Sequence, residues 1–257
     1  MIPASRRTGA RISRPTNRGR VIPKRSSDLE GLRQTSRNGR RPTHIDKVDS
    51  DFRVQAKKFM RPIVNAVHLC VDMQRIFAKG GIWETPWMER VLPTGMVIAS
   101  RYPSRTIFTR FITPQSPEEA PGQWRSYFER WEIATRKSLR AGELDLVPEL
   151  GRFVPPAMIC DKPTYSAFFR SSLAEVLLEK HIRTVIVSGA ETDVCVLSTV
   201  LDAVNIGFRV VIVEDALCSS SDAGHDALMT MYRLRFSEQI DLVKAEHLLE
   251  SWQIDRE

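Results

Sequence analysis

The stretch TVIVSGAETDVCVLSTVLDAVNIGFRVVIVED, Thr184 to Asp215, constrains the fold more than any other part of the chain. Val185, Ile186 and Val187 form a β-branched run that stops at Ser188-Gly189, which reads as a strand buried on both faces and ended by a glycine turn. A helix follows: Val194, Leu197, Leu201 and Val204 recur at helical spacing, Thr192 or Asp193 can cap its start, and Asn205 and Gly207 lie near its stop. A second apolar run begins at residue 209. Strand, helix and strand in succession imply a parallel pair with a crossover helix.

The same alternation extends along the chain. Strands are predicted at 65–71, 106–111, 157–161, 184–189, 209–214 and 239–243, and helices within 86–100, 123–140, 166–181, 193–206 and 222–235. This pattern predicts a three-layer α/β/α domain around a six-stranded, mostly parallel sheet.

Three chemically capable residues fall at strand ends in this scheme. Cys195 enters the first turn of the predicted helix, where free N–H groups and the positive end of the helix dipole favour thiolate over thiol. Asp72 ends the apolar run Asn65–Val71, and Lys162 closes Pro156–Lys162. Singly, each has a plain alternative: a small buried hydrophobe, a helix cap, a solvated charge. Together they read as one site at the carboxyl ends of parallel strands.

Asp72-Met73-Gln74, Lys162 followed by Tyr165-Ser166-Ala167-Phe168, and Ser188-Gly189-Ala190-Glu191-Thr192-Asp193-Val194-Cys195-Val196 resemble the isochorismatase-like cysteine hydrolase superfamily. That group includes nicotinamidases, N-carbamoylsarcosine amidase and biuret-type amidohydrolases. The likeness runs from about Pro62 to Val243. It implies strand order 3-2-1-4-5-6, with ligand bound where the winding reverses. It also implies that Asp72 is the base, Lys162 the charge partner and Cys195 the nucleophile. A cis peptide bond at Ala190-Glu191 is implied as well, aiming the N–H groups of Glu191 and Cys195 at an oxyanion. By this reading the backbone of Glu191 matters more than its side chain.

Isochorismatases of the same fold cleave a vinyl ether and do not need the thiol. Cys195 beside Asp72 and Lys162 therefore favours covalent C–N hydrolysis of a small amide, ureido or carbamoyl compound, a chemistry that needs no cofactor. Vinyl ether hydrolysis and a noncatalytic binding protein on the same scaffold are the alternatives. Candidate substrate contacts are Phe77, Trp83, Tyr165 and Phe168, with Trp87 as a further wall; Trp83 follows Gly80-Gly81 in a loop free to act as a lid. Arg110 is read as a donor to an anionic or carbonyl-rich substrate, with a structural role as the alternative. Nicotinamidases of this superfamily carry an Asp-x-His pair after the second strand. Here Thr109-Arg110-Phe111-Ile112-Thr113 occupies that place, and no metal is expected.

Charge divides the chain. Residues 1–60 hold 16 Lys and Arg against 5 Asp and Glu, while the whole carries a net +7. Residues 1–59 are read as a disordered basic arm and 60–257 as the hydrolase domain. The arm's aromatics, Phe52 and Phe59, lie beside the domain, so it lacks a stacking platform and nucleic-acid binding is not expected. Cys70, Cys160, Cys195 and Cys218 are scattered, with no Cys-x-x-Cys pair, and no apolar run suits a bilayer. The expectation is a cytoplasmic, non-membrane protein acting on a small molecule, homo-oligomeric as is common in the superfamily.

Overall fold

A computed structural model describes residues 62–254; the predicted arm lies outside them. The strands are β1 (Ala66–Val71), β2 (Thr106–Phe111), β3 (Met158–Lys162), β4 (Thr184–Ala190), β5 (Arg209–Cys218) and β6 (Ile240–Val243). They form one sheet in the order β3-β2-β1-β4-β5-β6, as expected, and every adjacent pair is parallel. The helices are α1 (Met88–Arg101), α2 (Trp124–Arg130), α3 (Pro148–Gly151), α4 (Leu173–Glu179), α5 (Leu197–Ile206), α6 (Asp222–Arg235) and α7 (Ala245–Ser251).

Strand periodicity explains the two covered faces. Val67, Leu69 and Val71 of β1 point with Val185 and Val187 of β4 into a core shared with Leu177 of α4, Val200 of α5 and Tyr232 of α6. The alternate residues turn the other way: Cys70 packs in a cluster with Val91 of α1, and Ile186 in one with Ile98 of α1 and Leu248 of α7. Two covered faces require apolar residues at both parities, which is why these strands show no alternation. Among the described residues, no helix is long and apolar enough to cross a membrane.

Two helices occupy only part of the spans within which they were expected, and one strand departs from its expected burial. The helix expected within 166–181 is confined to α4, because Ser166 Oγ donates to Asp202 Oδ2 at 2.5 Å and the Ala167 N–H donates to Thr199 Oγ1 at 3.1 Å. Those side-chain bonds hold residues 166 and 167 in a loop. The helix within 123–140 ends at Arg130 and is followed by a single 3₁₀ turn, Glu132–Ala134. β3 was expected to be buried, yet Met158 and Ile159 are 42% and 41% exposed. It is the outer strand, and β2 is its partner in the sheet.

One glycine is demanded by the sheet itself. Gly189 has φ +107°, and a Cβ there would run into the Val71 backbone. Only glycine lets β4 pass this close to β1 at the level of the site.

Candidate active site

β1 and β4 are neighbours, and the winding of the sheet reverses between them. Asp72 follows β1 with φ +49°, a left-handed conformation that aspartate tolerates better than most residues. Its N–H lies 3.2 Å from the Thr109 carbonyl and 3.1 Å from Thr109 Oγ1. Thr109 Oγ1 in turn donates to Asp72 Oδ1 at 2.6 Å. Gln74 ties the same strand ends: its Oε1 accepts from the Phe111 N–H at 2.7 Å, and its Nε2 donates to Leu144 O at 2.7 Å.

Lys162, the last residue of β3, brings its Nζ to 2.6 Å from Asp72 Oδ2, with both side chains wholly buried. The contact is an ion pair and not an aligned hydrogen bond, because Oδ2 has no hydrogen-bond partner of good angular geometry. The ammonium donates instead to Thr164 O at 3.0 Å and stands 5.2 Å from the centroid of the Phe111 ring. Burial works against its charge, but attraction to Asp72, and after it to Cys195, outweighs that and holds the Lys162 pKa above its ordinary value.

Cys195 lies near enough to both Asp72 and Lys162 for their charges to act on its thiol, so the three predicted residues fall in one neighbourhood. Burial pushes its thiol well above the ordinary range; the Lys162 charge opposes this and Asp72 adds to it. The helix start was expected to favour thiolate, and burial works in the opposite direction. The helix dipole is outweighed by desolvation, and the thiol needs a base at hand.

The local backbone also differs from a capped helix. Residues Thr192–Val196 form a wide π turn in which the Val196 N–H bonds to Glu191 O, five residues back, at 3.1 Å. Neither proposed cap serves. Asp193 Oδ1 accepts from Ser219 Oγ at 2.6 Å, and Thr192 Oγ1 donates to Cys218 O at 3.1 Å. The Ala190-Glu191 peptide is cis, as the resemblance implied.

Cys195 lines a cavity of about 600 Å³. Phe77, Trp83 and Tyr165 line it too, as expected. Trp83 packs among other rings, its centroid 5.7 Å from Phe77, 5.9 Å from Phe111 and 6.0 Å from Trp131. Its loop is tied and not free: the Trp83 N–H bonds to Ile76 O at 3.0 Å and the Thr85 N–H to Phe77 O at 2.8 Å.

Other expected contacts lie elsewhere. Phe168 packs in the core against Phe208, centroids 6.0 Å apart. Trp87 meets His225 edge-on at 5.1 Å and carries the Arg90 guanidinium at 4.3 Å. Arg110 binds Asp161 through two bonds of 2.7 and 2.8 Å and reaches Asp145 at 3.3 Å. That fork is spent on structure, and Arg110 is not among the cavity-lining residues.

The sequence reading missed Tyr127, Trp131, Ser220 and the side chain of Glu191, all of which line the cavity. Glu191 Oε1 accepts from Thr85 Oγ1 at 3.0 Å. Burial raises its carboxyl pKa, while Thr85 and Ser220 pull the other way.

The Isochorismatase domain family matches residues 66–243, most of the chain. The chain belongs to the isochorismatase family. Among relatives in this family, PncA of Bacillus subtilis is 39% identical over 71 residues, a match that spans 28% of this chain and 39% of that protein. Nicotinamidase 3 of Arabidopsis thaliana is 28% identical over 187 residues, covering 72% of this chain and 88% of that one. The fold is similar to that of a cysteine hydrolase from Pseudomonas syringae pv. phaseolicola, with TM-score 0.62, 21% identity, and 73% and 92% of the two chains covered.

The metal-bearing pair of family nicotinamidases has no counterpart in donor chemistry here. Its place holds Thr109, Arg110 and Phe111, and among the described residues no group of three or more His, Cys, Asp or Glu side chains is arranged to hold a metal ion.

Proposed function

We propose that this isochorismatase-family hydrolase is a cysteine amidohydrolase that cleaves a C–N bond of a small amide, ureido or carbamoyl compound. The supporting observation is a buried carboxylate–ammonium pair whose charges act on the thiol of Cys195, the member of the three that lines the cavity. Asp72 Oδ2 takes the thiol proton as Sγ attacks the carbonyl carbon. Because the thiol is held protonated, proton transfer and attack belong to one step.

Lys162 lowers the cost of the thiolate and keeps the Asp72 charge compensated in a dry site. The N–H groups of Glu191 and Cys195 receive the oxyanion. Asp72 returns its proton to the departing nitrogen, leaving an acyl group on Sγ. Water then attacks that thioester with Asp72 again as base, releasing acid and thiol. The chemistry as written calls for no cofactor.

The test is ammonia release across ureido, carbamoyl and carboxamide compounds, nicotinamide included, with wild type and Cys195→Ala. Turnover is expected from at least one class and none from the variant. Undiminished turnover in Cys195→Ala would overturn the covalent route, and no ammonia release from any class with wild type would favour vinyl ether hydrolysis, which has no use for the thiol.

A further inference from the structure

The cavity in front of Cys195 has a charge pattern that amide hydrolysis alone does not demand. Glu84 and Glu191 are among its lining residues, and no Lys, Arg or His is. Of the nearby cations, Arg130 stands 6.0 Å from the Trp131 ring centroid without lining the cavity, and two others are paired with acids. Lys162 has no exposed side-chain surface and is paired with Asp72, and Arg110 is held by Asp161 and Asp145.

Aromatic faces reinforce the sign. Trp83, Tyr127, Trp131 and Tyr165 line the same space, with Trp83 6.2 Å from Tyr127 and 6.0 Å from Trp131 between ring centroids. Ring faces carry partial negative charge, and several around one space form a cage suited to a cation. The rings also supply donors. Burial raises the phenol pKa of Tyr127, so it keeps its proton, and the buried Trp83 Nε1–H has no partner. Of the two acids, Glu84 is committed to its own loop, accepting from the Gly80 N–H at 2.8 Å. Glu191 is tied at one oxygen to Thr85 and lines the same cavity as Cys195.

We propose that the cavity takes an amide or ureido substrate carrying a cationic nitrogen, with Glu191 as the counter-charge and the Trp83, Tyr127 and Trp131 rings as the cage. Anionic substrates, such as ureido acids, are disfavoured because no Lys, Arg or His lines the cavity to meet their carboxylate. This deepens the proposed function and rests on it only in taking the cavity as the substrate site.

The experiment reads charge selection without turnover. Cys195 is labelled with three methanethiosulfonates of one chemistry and different charge: methyl, ethyltrimethylammonium and ethylsulfonate. Each forms a mixed disulfide and releases methanesulfinate. Rates at the Cys195 peptide are followed by mass spectrometry and divided by the rates on free 2-mercaptoethanol. The normalised cation-to-anion ratio is expected to exceed about tenfold, since one unit charge a few ångströms away in a partly buried site is worth at least that. Glu191→Gln is expected to remove most of the preference, read as the cation-to-anion ratio after each rate is divided by that of the neutral reagent on the same variant.

A ratio near one, or a ratio unchanged by Glu191→Gln, would overturn the proposal. Failure of the two readings is distinguishable. Amides cleaved with no charge preference in labelling would sink this inference alone; a strong preference without any amide turnover would sink the hydrolase reading alone.

Discussion

Thr109 and Asp72 are bonded in both directions: the threonine hydroxyl donates to Asp72 Oδ1 at 2.6 Å and accepts from the Asp72 N–H at 3.1 Å. One oxygen of the carboxylate is thereby fixed, and the other lies 2.6 Å from Lys162 Nζ.

With Asp72 as the base proposed above, Thr109 would act as its positioning residue. Thr109→Val should lower kcat/KM by about tenfold or more, the loss associated with a hydrogen bond to a charged group. Thr109→Ser should restore most of it, because it keeps the hydroxyl and loses only a methyl. Equal activity in the valine variant would mean that Asp72 is held by its backbone and Lys162 alone.

The state of the thiol can be read from alkylation. Burial holds Cys195 above the ordinary thiol range, so its rate with iodoacetamide should climb steadily from pH 6 to 9. A plateau reached below pH 7 would reveal a standing thiolate. Cys195 should also react faster than Cys70, which is 1% exposed and pushed up to about 12 by burial. The reason is access: Cys195 lines the cavity, whereas Cys70 lies in the core.

Gly189→Ala should cost at least roughly 2 kcal/mol in urea unfolding, since the left-handed backbone and the Val71 carbonyl both oppose a side chain. A stability within error of wild type would show that β4 can move away from β1 freely. Substitution at Gly151, where nothing stands within 4 Å of an added Cβ, serves as the comparison.

His68 makes the fold acid-sensitive. It is wholly buried in β1, Nε2 lies 2.7 Å from Ser188 Oγ, and burial lowers its pKa from 6.5 to about 3. The unfolded chain binds this proton below pH 6.5 and the folded one does not, so stability falls as pH drops from 6.5 toward 3. The slope from this group approaches a factor of ten in the unfolding constant per pH unit. His68→Gln, which retains donor and acceptor, should flatten that part of the profile. An unchanged acid limb would assign it to other groups.

How much was legible follows from the range of each interaction. β1 and β4 were readable because burial on two faces writes itself as unbroken β-branched runs, such as Val185-Ile186-Val187. Asp72, Lys162 and Cys195 were readable from their motifs at strand ends. The cavity wall was not: Tyr127 and Trp131 come from α2 and the turn after it, and only tertiary packing brings them to Trp83. Apolar content could not tell an outer strand from an inner one, so β3 was read as buried. The thiolate expectation counted the dipole at the helix start, a local feature, and omitted desolvation, which depends on the whole surrounding core. Arg110 illustrates the same gap, since its partner Asp161 is set opposite it only by the β2–β3 register.

β3 is flanked on one side only, and Lys162 is its final residue. Outer strands open more readily than central ones. If Lys162 acts as proposed, warming would silence the enzyme by peeling this margin away while the remaining strands keep their circular dichroism. Amide exchange at Ile159 and Cys160 would then report the competence of the whole molecule.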